Sequence, residues 1–287
     1  MSTLRRLRLG AATLLGLRRG WFIPHAHAAA ADPPPRYAAL EPLFAAAAPR
    51  MREILRAAEG FMPCYEAFGG APPAPRFEQD WFPRLDAVAA YAMLRLRAPA
   101  RLVEVGSGHS TRVMARAVVD GGLATRILAI DPAPRADLAG LRGIEILRMP
   151  VQDAPADALS GLGAGDVLFV DSSHVMMPGS DVDLLFNGPM AALPAGALVH
   201  VHDIFLPDAY PASWEWRGYN EQNALACMLA GGGWKILWSS RFVATRMAAE
   251  LAASPLARLK LPAGAHETSL WLERASCARE AQPAFAQ

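Results

Sequence analysis

The sequence predicts an α/β fold, doubly wound on a mostly parallel seven-stranded sheet, with additional helices at the N terminus. Three observations carry this. Leu102-Val103-Glu104-Val105 is a short apolar strand that runs into Gly106-Ser107-Gly108 and then a helical stretch, the strand–glycine turn–helix corner of a doubly wound domain. Short apolar runs then alternate with helical stretches, the pattern of a parallel sheet. Asp131 and Asp171 each close one of those runs, which puts carboxylates at strand ends, where open α/β sheets bind ligands.

Composition bounds the answer. A chain of 287 residues holds one large domain, or one domain with an elaborated terminus. We divide it into an N-terminal helical extension (1–75), an α/β domain (76–274) and a tail (275–287) with little reason to fold. Hydrophobic residues make up 53% and charged ones 19%, which excludes general disorder. A net charge of +1 gives no basic surface for tracking nucleic acid. Cys64, Cys227 and Cys277 are far apart; they form no metal-knuckle spacing and cannot all pair within one chain, so a reduced, cytoplasmic setting fits.

The first thirty residues have the outline of an export signal: Arg5, Arg6 and Arg8, an apolar run from Leu9 to Leu17, and Ala26-His27-Ala28. The run is short, contains Gly10 and Gly16, and is followed by Arg18 and Arg19. A retained amphipathic helix leading to Trp21-Phe22-Ile23-Pro24 is the preferred reading, with export the alternative. No stretch is apolar for long enough to predict a spanning helix.

In chain order, Ala31-Asp-Pro-Pro-Pro-Arg36 breaks the helix. Apolar residues at three- and four-residue steps predict a helix from Tyr37 to Phe61, kinked or split at Pro49. After a Gly/Pro-rich loop, Asp80 is the expected cap of a helix starting near Trp81 or Phe82, with Leu85, Val88, Ala89, Tyr91 and Leu94 toward the core. Leu102–Val105 is the first strand, and Ser110 or Thr111 caps the helix Arg112–Val119. Further strands are predicted at Arg126–Ile130, Gly143–Leu147, Val167–Val170, Ala197–Val201, Trp234–Trp238 and Ser269–Leu272. Helices are predicted near Arg135, at Asp181–Leu193 and at Asn220–Leu229.

The dinucleotide fingerprint G-x-G-x-x-G fails at its third glycine, where Thr111 stands. What remains is an acidic residue in the strand followed by G-x-G. With Asp131 after the next strand and Asp171-Ser-Ser-His174 later, this resembles the small-molecule branch of the class I S-adenosylmethionine-dependent methyltransferases, a Rossmann-like family. The resemblance covers roughly residues 76 to 240. It implies that Gly106, Ser107 and Gly108 receive the cofactor beside Asp171. It also implies that Asp131 accepts the ribose hydroxyls and that Asp153 meets the adenine amino group. Glu104, a carboxylate inside an apolar strand, needs a cation or donors. The cofactor's ammonium is the expected cation, and an ion pair with Arg101 or Arg112 is the alternative. The glycine turn carries no lysine, which suits a sulfonium better than a pyrophosphate. His109 either closes over the adenosine, reaches substrate or is a satisfied loop histidine.

Two strand ends supply the chemistry. Asp171-Ser172-Ser173-His174 follows the fourth strand and His200-Val201-His202-Asp203 ends the fifth. Side-chain alternation puts His200 and His202 on one face. His174, then His202, are the candidate bases for an acceptor hydroxyl; Asp203 binds substrate, orients a histidine or ligates metal. A divalent ion on Asp171 and Asp203 is possible but not favoured, because Ile204 stands where metal-dependent relatives have asparagine. The long aromatic loop 205–222 predicts a substrate wall of Trp214, Trp216 and Tyr219, with Arg217 or Glu221 fixing a charged part, and so an aromatic or polyhydroxylated small molecule. The predicted function is methyl transfer to a small molecule, at oxygen. The alternatives are an NAD-dependent oxidoreductase and a catalytically silent cofactor- or partner-binding domain.

Overall fold

The structure, a computed structural model, describes residues 3–15 and 34–276. The expectations for Arg18, Arg19, Trp21–Pro24, Ala26–Ala28 and Cys277 fall outside the described residues. Helix α1 is Thr3–Leu14. Helix α2 (Glu41–Glu59) runs through Pro49 without being split. Its buried Phe44, Met51, Ile54 and Leu55 join the same hydrophobic core as the sheet, and α2 packs on the strand Trp234–Ser239 and on the helix Arg84–Arg97. Helix α3 is Met62–Glu66. Helix α4 (Arg84–Arg97) starts two or three residues later than the expected Trp81 or Phe82. Asp80 does not cap it; Glu267 Oε1 accepts the Leu85 N–H at 2.8 Å instead.

Strand β1 (Arg101–Val105) lies between β2 (Arg126–Ile130) and β4 (Val167–Val170), parallel to both. Strand β3 is Ile144–Leu147 and β5 is Leu198–Val201. The order is β3-β2-β1-β4-β5-β7-β6, with β6 at Trp234–Ser239 and β7 at Leu270–Arg274. Strand β7 alone runs opposite to the other six, antiparallel to both β5 and β6. The sheet reverses its order between β1 and β4, so the crevice beyond their carboxyl ends is the switch point where such sheets bind ligands. All of β4 and β5 is buried, which explains their unbroken apolar runs.

Local chemistry moved several boundaries. Helix α5 is His109–Gly121, with Gly108 as its N-cap; Ser110 and Thr111 lie in its first turn, their hydroxyls committed to Glu104. Residues near Arg135 form turns rather than a helix. Gly188-Pro189 divides the expected Asp181–Leu193 helix into α6 (Asp181–Asn187) and α7 (Pro189–Ala192), since proline cannot donate to the preceding turn. Helix α8 is Glu221–Ala230. Two short helices, α9 (Ser240–Arg246) and α10 (Ala248–Ala253), were not anticipated. No helix among the described residues is long and apolar enough to cross a membrane.

Candidate functional site

The corner at Gly106 is set by backbone crowding. Its φ is +82°, and a Cβ there would lie 1.7 Å from the Asp171 carbonyl oxygen, so only glycine fits. Gly106 N–H donates to Ile130 O at 3.0 Å and Asp171 N–H to Val105 O at 2.9 Å, which ties the ends of β1, β2 and β4 together.

Beneath that corner, Glu104 is fully buried. The Ser110 hydroxyl donates to its Oε1 at 2.5 Å and the Thr111 hydroxyl to its Oε2 at 2.6 Å. Thr111 Oγ1 in turn accepts the Gly108 N–H at 2.9 Å. Thr111, the residue that breaks the dinucleotide fingerprint, therefore links the carboxylate to the glycine turn. Burial outweighs these two hydrogen bonds and pushes the Glu104 pKa up to about 8. Glu104 pairs with neither Arg101 nor Arg112: Arg112 donates to the Asp137 carbonyl, and Arg101 to the Ser160 and Gly161 carbonyls. Glu104 is also not on the crevice wall, which it reaches through Ser110 and, by way of Thr111, through Gly108.

One crevice of about 320 Å³ runs from Ser107, Gly108 and Asp131 to Asp171, His174, His202 and Asp203, and ends at Trp214, Arg217 and Tyr219. Asp131 is held by the Ser107 N–H at 2.6 Å and the Ala133 N–H at 2.7 Å. Asp153 is exposed and off the wall; the 3-10 turn Val151–Asp153 brings Val151 and Gln152 to the crevice instead. His109 lines the crevice with a buried, unpartnered Nδ1. Burial, then Arg112 and Arg76, lower its pKa to about 4, so this ring is neutral. Trp216 is not on the wall. Glu221 is fully buried behind His174 rather than facing a ligand.

The reactive edge is a chain of carboxylates and imidazoles. His174 Nδ1 bonds Glu221 Oε2 at 2.9 Å, while its Nε2 lies 3.4 Å from Asp171 and 3.5 Å from Asp203. His202 Nε2 bonds Asp86 Oδ2 at 3.1 Å, and its Nδ1 faces the same two aspartates at 3.4 and 3.5 Å. Burial penalises both charged rings, but the flanking carboxylates prevail and hold both pKa values well above the ordinary 6.5. Burial likewise opposes ionisation of Asp171, and the two histidines overcome it, keeping Asp171 below the ordinary carboxylate range. The Asp171 and Asp203 side chains are 26% and 12% exposed, against 5% and 4% for the rings. A ligand thus meets the carboxylates first. His174 and Asp203 have φ of +62° and +56°, a costly backbone for non-glycine residues that often marks functional positions.

His200 shares a face with His202, as alternation requires, but stacks on Phe169 at 3.7 Å and bonds Ser269 at 2.8 Å. Burial keeps it neutral, and it does not line the crevice. Asp86 is the residue sequence reasoning missed. It lies on α4 and accepts from the Thr268 and Ser269 N–H groups as well as facing His202. Its signal was a carboxylate inside an apolar helical stripe. Among the described residues, no group of three or more His, Cys, Asp and Glu side chains is arranged to hold a metal ion.

No curated protein matches the chain. Residues 103–204 match the family model described as a methyltransferase domain. The matched span contains the glycine corner, Asp131, Asp171, His174, His202 and Asp203. Among solved structures, the chain is similar to a methyltransferase of Podospora anserina, at 14% identity and TM-score 0.41 over 89% of this chain and 99% of that one. It is also similar to the O-methyltransferase TomG of Streptomyces achromogenes, at 17% identity and TM-score 0.39 over 78% and 90%. An O-methyltransferase of Bacillus cereus matches at 11% identity and TM-score 0.36 over 65% and 81%.

The charge of the crevice fits S-adenosylmethionine as a ligand. Asp80, Asp131, Asp171, Asp181 and Asp203 line the crevice against only two guanidiniums, Arg135 and Arg217. That excess of carboxylates favours a ligand carrying a sulfonium and an ammonium over a pyrophosphate.

Proposed function

We propose that this protein transfers the methyl group of S-adenosylmethionine to a hydroxyl oxygen of a small aromatic or polyhydroxylated molecule, in the cytoplasm. One observation carries the reading: the glycine corner with Asp131 and the paired His174 and His202 open into the same crevice. Ser107, Gly108 and Asp131 would hold the nucleoside, with Glu104 acting through Ser110 on the cofactor's positive end. The cofactor supplies an electrophilic methyl group.

The protein's own residues handle the proton. Glu221 fixes the His174 ring from behind, in the manner of a carboxylate-oriented base. A hydroxyl entering the crevice competes with Nε2 of His174 for Asp171 and Asp203. Losing those contacts lowers the ring's pKa, so that Nε2 releases its proton to solvent and then takes the proton of the acceptor hydroxyl as its oxygen bonds the methyl group. His202, braced by Asp86, is the second candidate, and Asp203 orients the hydroxyl. Asp171 and Asp203 could instead hold a divalent ion; chelation that abolished turnover, with recovery on adding Mg²⁺, would favour that mechanism.

The test is calorimetric binding of S-adenosylmethionine and of NAD to the purified chain, followed by turnover on a hydroxyl-bearing panel. Saturable S-adenosylmethionine binding with methyl-ether products is expected. Tight NAD binding without response to S-adenosylmethionine would overturn the reading.

A further inference from the structure

Arg217 sits at the far end of the crevice among aromatic rings. Its Cζ lies 4.0 Å from the Trp214 ring centroid, 5.1 Å from that of Trp216 and 5.3 Å from that of Tyr219. Nη1 donates to the Tyr219 hydroxyl at 3.0 Å. Nε is buried with no partner, and Nη2 makes no hydrogen bond among the described residues. Arg84, Arg241 and Arg246 are each paired with a carboxylate, whereas Arg217 has none among the described residues. The residue is half-buried, and a guanidinium partly shielded from water with no anion beside it gains from a ligand that supplies one. Its planar fork, with open donors, matches a carboxylate.

Position links this cation to the reactive edge. The Tyr219 ring centroid is 4.5 Å from that of His174, and the same ring touches Arg217, so one aromatic ring separates the guanidinium from the proton acceptor. Trp214 and Tyr219 meet edge to face at 88° and form an apolar corner in which either ring face can take a planar ligand. His266 completes that end of the crevice, and burial, then Arg241, lower its pKa, so it stays neutral and adds no second positive charge beside Arg217.

Building on the methyl-transfer reading, we propose that the acceptor is a small, flat hydroxy acid. Its carboxylate is bound by Arg217 and its hydroxyl is presented to Asp203 and His174. Arg217 sets specificity and does not take part in the proton transfer.

The test uses para-hydroxybenzoate, the neutral para-hydroxybenzamide and para-hydroxyphenyl phosphate as probes. Binding is measured on the whole chain without S-adenosylmethionine, so the outcome stands apart from the methyl-transfer reading, which cofactor binding tests separately. The wild type should bind the acid at least about tenfold more tightly than the amide. R217Q and R217M should lose that preference while keeping the wild-type melting curve and S-adenosylmethionine affinity, and R217K should retain part of it. Equal binding of acid and amide, no binding of the acid at millimolar concentration, or a preference that survives in R217Q would overturn the proposal. Tighter binding of the phosphate than of the benzoate would overturn the carboxylate assignment.

Discussion

Glu104→Gln keeps the shape of a fully buried side chain and removes its ability to ionise. The Thr111 hydroxyl must donate, because its oxygen already accepts the Gly108 N–H; the glutamine oxygen can take that bond, and its amide can donate to Ser110. Fold and packing should therefore survive. The pH dependence should not. A carboxyl raised from 4.5 to about 8 on folding binds its proton more tightly in the native state. Its stabilising contribution is complete below pH 4.5 and is lost as pH rises through the folded-state value. That shift corresponds to about 3–5 kcal/mol of stability lost across the window. Urea titrations of wild type and E104Q from pH 5 to 9 isolate this term, because every other titrating group is common to both proteins. The wild type should lose stability relative to E104Q as pH rises. Parallel pH profiles would refute the reasoning, and so would a collapse of E104Q at all pH values.

The same proton should report the cofactor. A cation placed above Ser110 lowers the Glu104 pKa, so S-adenosylmethionine binding near pH 7 should release up to about one proton. Calorimetry in two buffers of different ionisation heat reads this, and heats independent of buffer would contradict it. Asp131→Ala should weaken S-adenosylmethionine binding by about 1–3 kcal/mol through lost charge-assisted hydrogen bonds; unchanged affinity would remove Asp131 from the cofactor site. Because carboxylates raise the His174 and His202 pKa values in the free protein, kcat/KM for methyl transfer should climb with pH with a midpoint above 6.5; a midpoint below it would count against a histidine base. Mass spectrometry of the natural chain should recover peptides from residues 5 to 30, whereas a mature terminus near Ala29 in an exported fraction would establish cleavage.

Much of the parallel sheet was legible because apolar runs such as Val167–Val170 are bounded by glycine and aspartate, which announce strand ends without tertiary help. Boundaries failed where a distant side chain replaced a local one. Glu267 serves the start of α4 in place of Asp80, and Glu104 claims the hydroxyls of Ser110 and Thr111. At the site, strand-end position was enough to bring Asp171, His174, His202 and Asp203 together. Asp86 and Glu221 were hidden or misassigned because their partners lie 116 and 47 residues away, and no local pattern records such a pairing. Asp153 failed for a simpler reason, since the turn that carries it faces the side chain outward.

Single-turnover transfer from methyl-labelled S-adenosylmethionine to an accepted hydroxy compound, for wild type, H174Q and H202Q with and without chelator, tests the central claim most directly. The account predicts a fall of about two to four orders of magnitude in the transfer step for the operative histidine, with cofactor affinity nearly intact and little response to chelation. Unchanged turnover in both histidine variants would contradict it.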